Sequence, residues 1–432
     1  MQTNTLSTTF INADEVIAGL YKNYYVNLKS KETFSTFSFE ERIDAANEMV
    51  NGLKKNELYF YRRTNEDFLQ QAGNNDTRYP FVQPINLASN DYLGFTKHPA
   101  VINAGIKEIN THGVGSGSVP MLSGTTAAHK KLEVELASFL GYESLLTFSS
   151  CYAANHGLLT ALLTKADVAI LDIAVHASII DGCCNTNIIF FKHNDIASLK
   201  VALVKASCYK NKLVIIDGVY SMDGDIALVD DILQLTKEEN AWLMIDESHA
   251  IGVLGENGKG TQSHFAVKQQ AEILTGSLGK AMGGIGGYAA GSEKLMNLIE
   301  ICCRPFIFST SIPGSIAAQI TESIRLLETD LSIRKKLWHN ITYFKTQMKN
   351  IGFNTGHTAS AIIPVIIPDE VKLLNFCRFL HDNYVFVNPI FYPVVSKRKS
   401  RLRISITALL GKEELDHALD TIETAAHHFQ II

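Results

Sequence analysis

The stretch KLVIIDGVYSMDGDIALVDDILQLTKEENAWLMIDESHA, residues 212–250, holds the alternation that decides the fold. An apolar, β-branched run (KLVIID) is followed by turn residues. LVDDILQLTKEEN then carries apolar residues at helical spacing, and a second apolar run, AWLMIDE, closes the unit. Strand, helix, strand in this order is a βαβ unit, which predicts a parallel pair. Outward from it the same rhythm repeats: SLLTFSS, VAILD, IIFFKH and EILTGS read as strands and HKKLEVELASFLG as a helix. The fold class expected is α/β with a mainly parallel sheet. Polar residues stand at the strand ends: Asp217, Asp246, and Ser277 with Lys280. In open α/β sheets ligands bind outside the carboxyl ends of the strands, so these residues are predicted to meet in one crevice.

The rest of the chain divides around this core. Residues 1–84 are predicted to be a helical N-terminal arm, rich in charge and aromatics and ending in the turn-prone NEDFLQQAGNNDTRYP. Residues 85–312 form the large α/β domain. Residues 313–432 open on a helical stretch, continue with the strand-like SAIIPVIIP, YVFVNPIF and RLRISITA, and close on a helix, which predicts a smaller α+β domain. Neither an internal repeat nor a low-complexity tract interrupts them.

Composition excludes several classes of function. The chain has 432 residues, 46% of them hydrophobic and 19% charged, as in ordinary globular proteins of two or three domains. A net charge of -5 and the lack of a long basic run argue against nucleic-acid binding. Seven cysteines, with adjacent pairs at Cys183-Cys184 and Cys302-Cys303, suit neither a disulfide framework nor a metal site, and point to a reduced cytoplasmic setting. The first residues show no signal-peptide pattern and no apolar run reaches membrane-spanning length, so no integral membrane segment is expected.

Chemistry concentrates in TGSLGKAMGG, residues 275–284. A phosphate-binding P-loop needs a hydroxyl residue after its lysine, and Ala281 follows Lys280 here. The other reading is a Schiff-base lysine, which needs small neighbours so that a flat ring can approach and a weakly charged setting so that the amine is neutral. Were the ring pyridoxal phosphate, three more features would be required. A carboxylate must keep the ring nitrogen protonated, and Asp246 in LMIDESHA stands ready, with His249 after it as a contact for the ring hydroxyl. An aromatic must stack on the ring, for which His176 in VHASIIDG is the candidate. The phosphate must meet a helix start, which TFSSCYAANHG supplies. Taken singly, Asp246 also reads as a helix cap and His176 as a structural histidine.

SNDYLG (from Ser89), GSGSVPMLSGTTAAHKKLE, VHASIIDG, HND, GVYSMDGD, IDESHAIGVLGENGKG, GSLGK, FSTSIP and RLRISITA resemble, in order, the motifs of the α-oxoamine synthases. These pyridoxal-phosphate enzymes condense an amino acid with an acyl thioester and release carbon dioxide. The resemblance runs from about residue 85 to the end. It implies a fold-type I transferase and makes Lys280 the lysine that holds the cofactor, Asp246 the ring-nitrogen partner, His249 the ring-hydroxyl contact and His176 the stacking residue. Cys151 and Tyr152 fall where the family offers backbone amides to the phosphate. Ser277 and Ser221 match hydroxyls beside the cofactor. Thr310 resembles a residue that reaches the phosphate of a neighbouring subunit, which implies a homodimer with shared active sites. Asn90 and Arg403 resemble the pair that holds the substrate carboxylate. The expected substrates are glycine, alanine or serine with acyl-CoA or an acyl carrier protein; an aminotransferase or a lyase on the same fold is the alternative.

Three positions depart from the family pattern. Pro120 stands where many members carry arginine or a small residue, Leu410-Gly411 replaces a histidine-threonine pair, and Cys151 occupies a usual glycine. For the N-terminal arm, with YFYRR at residues 59–63, packing on the partner subunit is preferred over covering the acyl channel.

Overall fold

The computed structural model describes residues 37–63, 84–392 and 394–432. In chain order it contains α1 (Phe39–Lys55), β1 (Ile85–Asn86), α2 (Pro99–His112), α3 (Ala127–Leu140), β2 (Ser144–Phe148), α4 (Cys151–Leu162), β3 (Val168–Asp172), α5 (Ala177–Gly182) and β4 (Asn187–Phe191). There follow α6 (Ile196–Lys205), β5 (Lys212–Asp217), α7 (Val229–Glu238), β6 (Trp242–Asp246), α8 (Thr261–His264), β7 (Ile273–Ser277), β8 (Gly287–Gly291), α9 (Glu293–Cys302) and α10 (Arg304–Phe308). The C-terminal part supplies α11 (Gly314–Thr329), α12 (Leu331–Ile351), β9 (Ile362–Ile366), α13 (Glu370–Asp382), β10 (Val385–Phe386), β11 (Asn388–Ile390), β12 (Arg401–Ser405) and α14 (Lys412–His428).

Seven strands form the large sheet in the order β2-β8-β7-β6-β5-β3-β4. All neighbours are parallel except those of β8, which runs antiparallel to both β2 and β7. The unit at 212–250 is as expected: β5 and β6 are parallel, with Asp217 opposite Asp246. Side chains alternate across a strand, and both faces here are buried, which is why the strands read as continuous apolar runs. Val214, Ile216, Leu243 and Ile245 enter one apolar cluster, whereas Leu213, Ile215 and Met244 enter the other.

The C-terminal strands make an antiparallel sheet in the order β11-β12-β9. Two contacts knit it to earlier sequence. β1 pairs in parallel with β10, and the Ser405 amide donates to the Leu87 carbonyl, so Asn90 is carried toward β12. α11 packs on α2 and α3 of the α/β part.

Of the predicted arm, α1 is a helix, begun by Ser38 and Glu41 as a reciprocal capping box and ended by Lys54 and Lys55. Within the YFYRR segment, Phe60 is buried in its own chain, edge-on to His381 of α13 at 4.9 Å, whereas Tyr61 is exposed. The remainder of the arm, residues 1–36 and 64–83, lies outside the described residues.

Candidate active site

A cleft of about 220 Å³ opens at the carboxyl ends of the strands, lined by Cys151, Tyr152, His176, Asp217, Val219, Ser221, Asp246, Ser248, His249, Ser277 and Lys280. Eight of the predicted residues therefore converge there although they come from five separate segments.

Lys280 lies in the connection from β7 to β8. That turn is closed by Leu278 N–H to Gly286 carbonyl and Gly284 N–H to Leu278 carbonyl bonds. Gly283 is required in it: its φ is +69°, and a Cβ would come within 2.7 Å of the Phe95 Cβ. The Lys280 amine has neither a hydrogen-bond nor an ion-pair partner among the described residues. Burial pushes its pKa down; the Asp246 charge opposes this and Arg403 adds to it.

Asp246 is buried at the end of β6. Its Oδ1 accepts the Ser248 amide at 2.9 Å, and its Oδ2 accepts Nδ2 of Asn155 at 2.7 Å. Asn155, fully buried, also donates to Ser178 Oγ at 3.0 Å, which in turn lies 2.8 Å from His176 Nδ1. One chain of polar groups thus ties Asp246 to His176. His176 also caps α5, so the structural reading of this histidine holds as well. Burial lowers its pKa.

His249 is buried, with Nδ1 2.7 Å from the Tyr92 hydroxyl. Burial first, then Lys280, Arg403 and His176, push its pKa well below the usual value, so the ring is neutral. Asn90 Oδ1 accepts from Tyr92 Oη and from Arg403 Nη1, each at 3.3 Å. Arg403 is held further by the Ser221 carbonyl (Nε, 2.6 Å) and Ser405 Oγ (2.9 Å). Asn90 and Arg403 are therefore in contact with each other, and are joined to the cleft through Ser221 and through Tyr92–His249.

At the opposite end, Ser150 caps α4 by accepting the Ala153 amide. This leaves the Cys151 and Tyr152 amides without acceptors among the described residues, where a helix start favours an anion. β8 approaches that start so closely that a Cβ on Gly287 would lie 2.4 Å from the Cys151 Cα. The Cys151 thiol is 3.2 Å from Ser248 Oγ; burial and the Asp246 charge raise its pKa well above normal, so it stays protonated. Ser277 Oγ accepts the Gly279 amide. Thr310 is exposed and lies outside the lining of its own chain's cleft.

Sequence reasoning passed over Tyr92, Asn155 and Ser248 as site residues, and took Asp217 only as a polar strand end. Tyr92 lay inside the quoted SNDYLG, and Asn155 stands four residues after Cys151, the spacing of one helix face.

The chain matches the aminotransferase class I and II family over residues 82–422. It is 42% identical over 351 residues to the 8-amino-7-oxononanoate synthase of Thermoanaerobacter pseudethanolicus, and 41% over 350 residues to 8-amino-7-oxononanoate synthase 1 of Bacillus subtilis. Each alignment covers 81% of this chain and 89% of the relative. A serine palmitoyltransferase from S. paucimobilis, solved with a bound PLP–myriocin aldimine, superposes with a TM-score of 0.79 at 32% identity, covering 81% of this chain and 89% of that one. The chain belongs to the aminotransferase class I and II family, in its α-oxoamine synthase branch, and is a pyridoxal-phosphate-dependent acyltransferase.

The residues present fit that cofactor. An unpartnered lysine amine, a buried carboxylate and two unpaired helix-start amides all border one cleft, and these are the groups that an aldehyde, a ring nitrogen and a phosphate need.

Proposed function

We propose that this cleft condenses a small amino acid, glycine, alanine or serine, with an acyl thioester carried on coenzyme A or an acyl carrier protein, losing carbon dioxide and giving an α-amino ketone. The observation that carries the reading is the Lys280 amine, without a hydrogen-bond or ion-pair partner among the described residues, sharing a buried cleft with Asp246. Alanine is the first amino acid to test. The product named for the curated relatives bears an amine on the carbon between a terminal methyl and a ketone, which is the skeleton alanine leaves after decarboxylation.

In this reading Lys280 would be the covalent anchor of the cofactor, and Asp246, held by Asn155 and Ser248, would keep the ring nitrogen protonated. The neutral His249, held by Tyr92 at Nδ1, would offer its other nitrogen to the ring hydroxyl. His176 would stack on the ring. The Cys151 and Tyr152 amides, with Ser277, would take the phosphate, and Ser221 would contact the ring. When bound, the cofactor supplies an electron sink for charge developing at the amino acid's α-carbon. Arg403 and Asn90 grip the substrate carboxylate, the arginine through its planar fork. Lys280 Nζ, favoured in the neutral form by burial, would take the proton from the α-carbon of the amino acid. The α-carbon then attacks the thioester carbonyl, thiol departs, and the resulting β-keto acid loses carbon dioxide.

The working unit we propose is a homodimer, in which exposed Thr310 serves the partner's phosphate site. The test is to load the protein with pyridoxal phosphate and supply glycine, alanine and serine, each with short and long acyl-CoA, while following free thiol. Thiol release with one amino acid is expected, and Lys280→Ala should abolish it. Keto-acid formation without thiol release from any pair would replace this reading with transamination.

A further inference from the structure

The motif HND, residues 193–195, has no part in the chemistry above, yet it builds a dense polar cluster. His193 follows β4 and bridges two carboxylates: Nδ1 lies 3.0 Å from Oδ1 of Asp172, the fully buried end of β3, and Nε2 lies 2.8 Å from Oδ2 of Asp225. An imidazole that donates at both nitrogens carries a positive charge. Burial alone would lower its pKa, but the two hydrogen bonds and the two negative charges raise it to about 10. The Tyr220 hydroxyl donates to Asp172 Oδ2 at 2.9 Å, with its ring edge-on to the imidazole at 4.3 Å. Asn194 donates to Asp225 Oδ2 at 2.8 Å and to the Ile226 carbonyl at 3.1 Å.

The segment clamped in this way, residues 220–226, is the one that the C-terminal sheet grips from the other side. Arg401 bonds the Met222 carbonyl at 2.8 Å and Asp223 at 2.7 Å, and Ser360 bonds the Gly224 carbonyl at 2.8 Å. Arg403 holds the Ser221 carbonyl by Nε at 2.6 Å. The direction of the Arg403 guanidinium therefore depends on where Ser221 is fixed, and Ser221 is fixed in part by the bridge at Asp225.

We propose that His193 is a positioning residue, whose two-sided bridge between Asp172 and Asp225 locks residues 220–226 so that Arg403 is aimed at the carboxylate of the amino-acid substrate. The inference rests on the role proposed for Arg403. Its reach is substrate affinity, and it leaves the thioester side of the reaction untouched.

The test uses the full chain loaded with pyridoxal phosphate, in the variants His193→Leu, Asp225→Ala and Arg403→Lys. Asp225 is partly exposed in a loop, so its truncation gives a folded variant where loss of His193 strains folding. Two quantities are read: amide hydrogen exchange across residues 219–228, and the dissociation constant for L-alanine from its perturbation of the cofactor absorbance. Expected are faster exchange confined to that segment in the first two variants and L-alanine binding weaker by about tenfold, the scale of one lost charge-assisted hydrogen bond. The thioester KM should stay within about twofold, inside the roughly 0.5 kcal/mol scatter of surface substitutions. Faster exchange with wild-type L-alanine affinity in both lock variants, while Arg403→Lys binds weakly, overturns the inference and leaves the Arg403 role standing. Wild-type affinity in Arg403→Lys overturns both.

Discussion

Replacing Asn155 by alanine should loosen the cofactor without touching any group that meets the substrate. Asn155 Nδ2 donates at 2.7 Å to Asp246 Oδ2, and both side chains are buried. The remaining contact of that oxygen is the Cys151 thiol at 3.7 Å, a weak donor. Loss of a hydrogen bond to a buried charged group is worth about 1.5–3 kcal/mol. Part of this falls on the fold; the part that falls on the carboxylate opposing the ring nitrogen appears in binding. At about 1.4 kcal/mol per decade, the dissociation constant for pyridoxal phosphate should rise about 10- to 100-fold. Equilibrium dialysis against the cofactor measures this directly. Ser178→Ala is the comparison: it removes the other contact of Asn155, at 3.0 Å, together with the 2.8 Å contact to His176 Nδ1, and spares the bond to Asp246. It should shift the constant less than about fivefold, since a neutral pair contributes only about 1 kcal/mol and part of that falls on the fold. Cofactor affinity unchanged in Asn155→Ala, or equally weakened in Ser178→Ala, would refute the assignment of Asp246 as the ring-nitrogen partner supported by Asn155.

Other outcomes follow from the same geometry. Tyr92→Phe leaves the buried His249 Nδ1 unpaired, and should reduce stability by about 1–3 kcal/mol in denaturant melts while shifting the cofactor absorbance. Lys280→Ala should eliminate thiol release with the circular dichroism spectrum and melting point of the cofactor-free protein preserved, because the amine has no hydrogen-bond or ion-pair partner to lose among the described residues. Gly283→Ala places a Cβ against Phe95 in a left-handed turn and should cost about 1 kcal/mol or more in stability while slowing turnover. His193, raised from 6.5 to about 10 in the folded state, contributes stability that is complete below pH 6.5 and is lost as pH rises through about 10. The stability difference between wild type and His193→Leu should therefore shrink across that window, and a constant difference in urea titrations would contradict the bridge.

The strands of 212–250 were legible because parallel strands buried on both faces leave apolar runs. β8, GYAAG, was not, because glycine and alanine carry no β-branched signature; they are there so that β8 can approach the start of α4. Lys280, Asp246, His249 and His176 were readable since each sits in a distinctive local setting of small or polar residues. Asn155 and Tyr92 were not, since their partners lie 91 and 157 residues away and nothing in their neighbours announces a buried bond. Arg401 was similarly silent: a basic residue in a strand reads as exposed, whereas here it is 1% exposed and satisfied by Asp223 and two carbonyls.

The Arg403–Asn90 contact joins residues 313 positions apart. During synthesis, Lys280 and Asp246 leave the ribosome well before β12 exists. At about 5–20 residues per second, the interval between Lys280 and Arg403 lasts roughly 6–25 seconds. For that interval a nascent chain has the groups that would react with an aldehyde but no carboxylate grip and no closing sheet. The exposed lysine is then open to any cellular carbonyl compound. A chain that reaches β12 quickly is protected by its own completion, so pausing codons or truncations between residues 280 and 403 should yield protein adducted at Lys280, detectable by mass spectrometry after borohydride trapping.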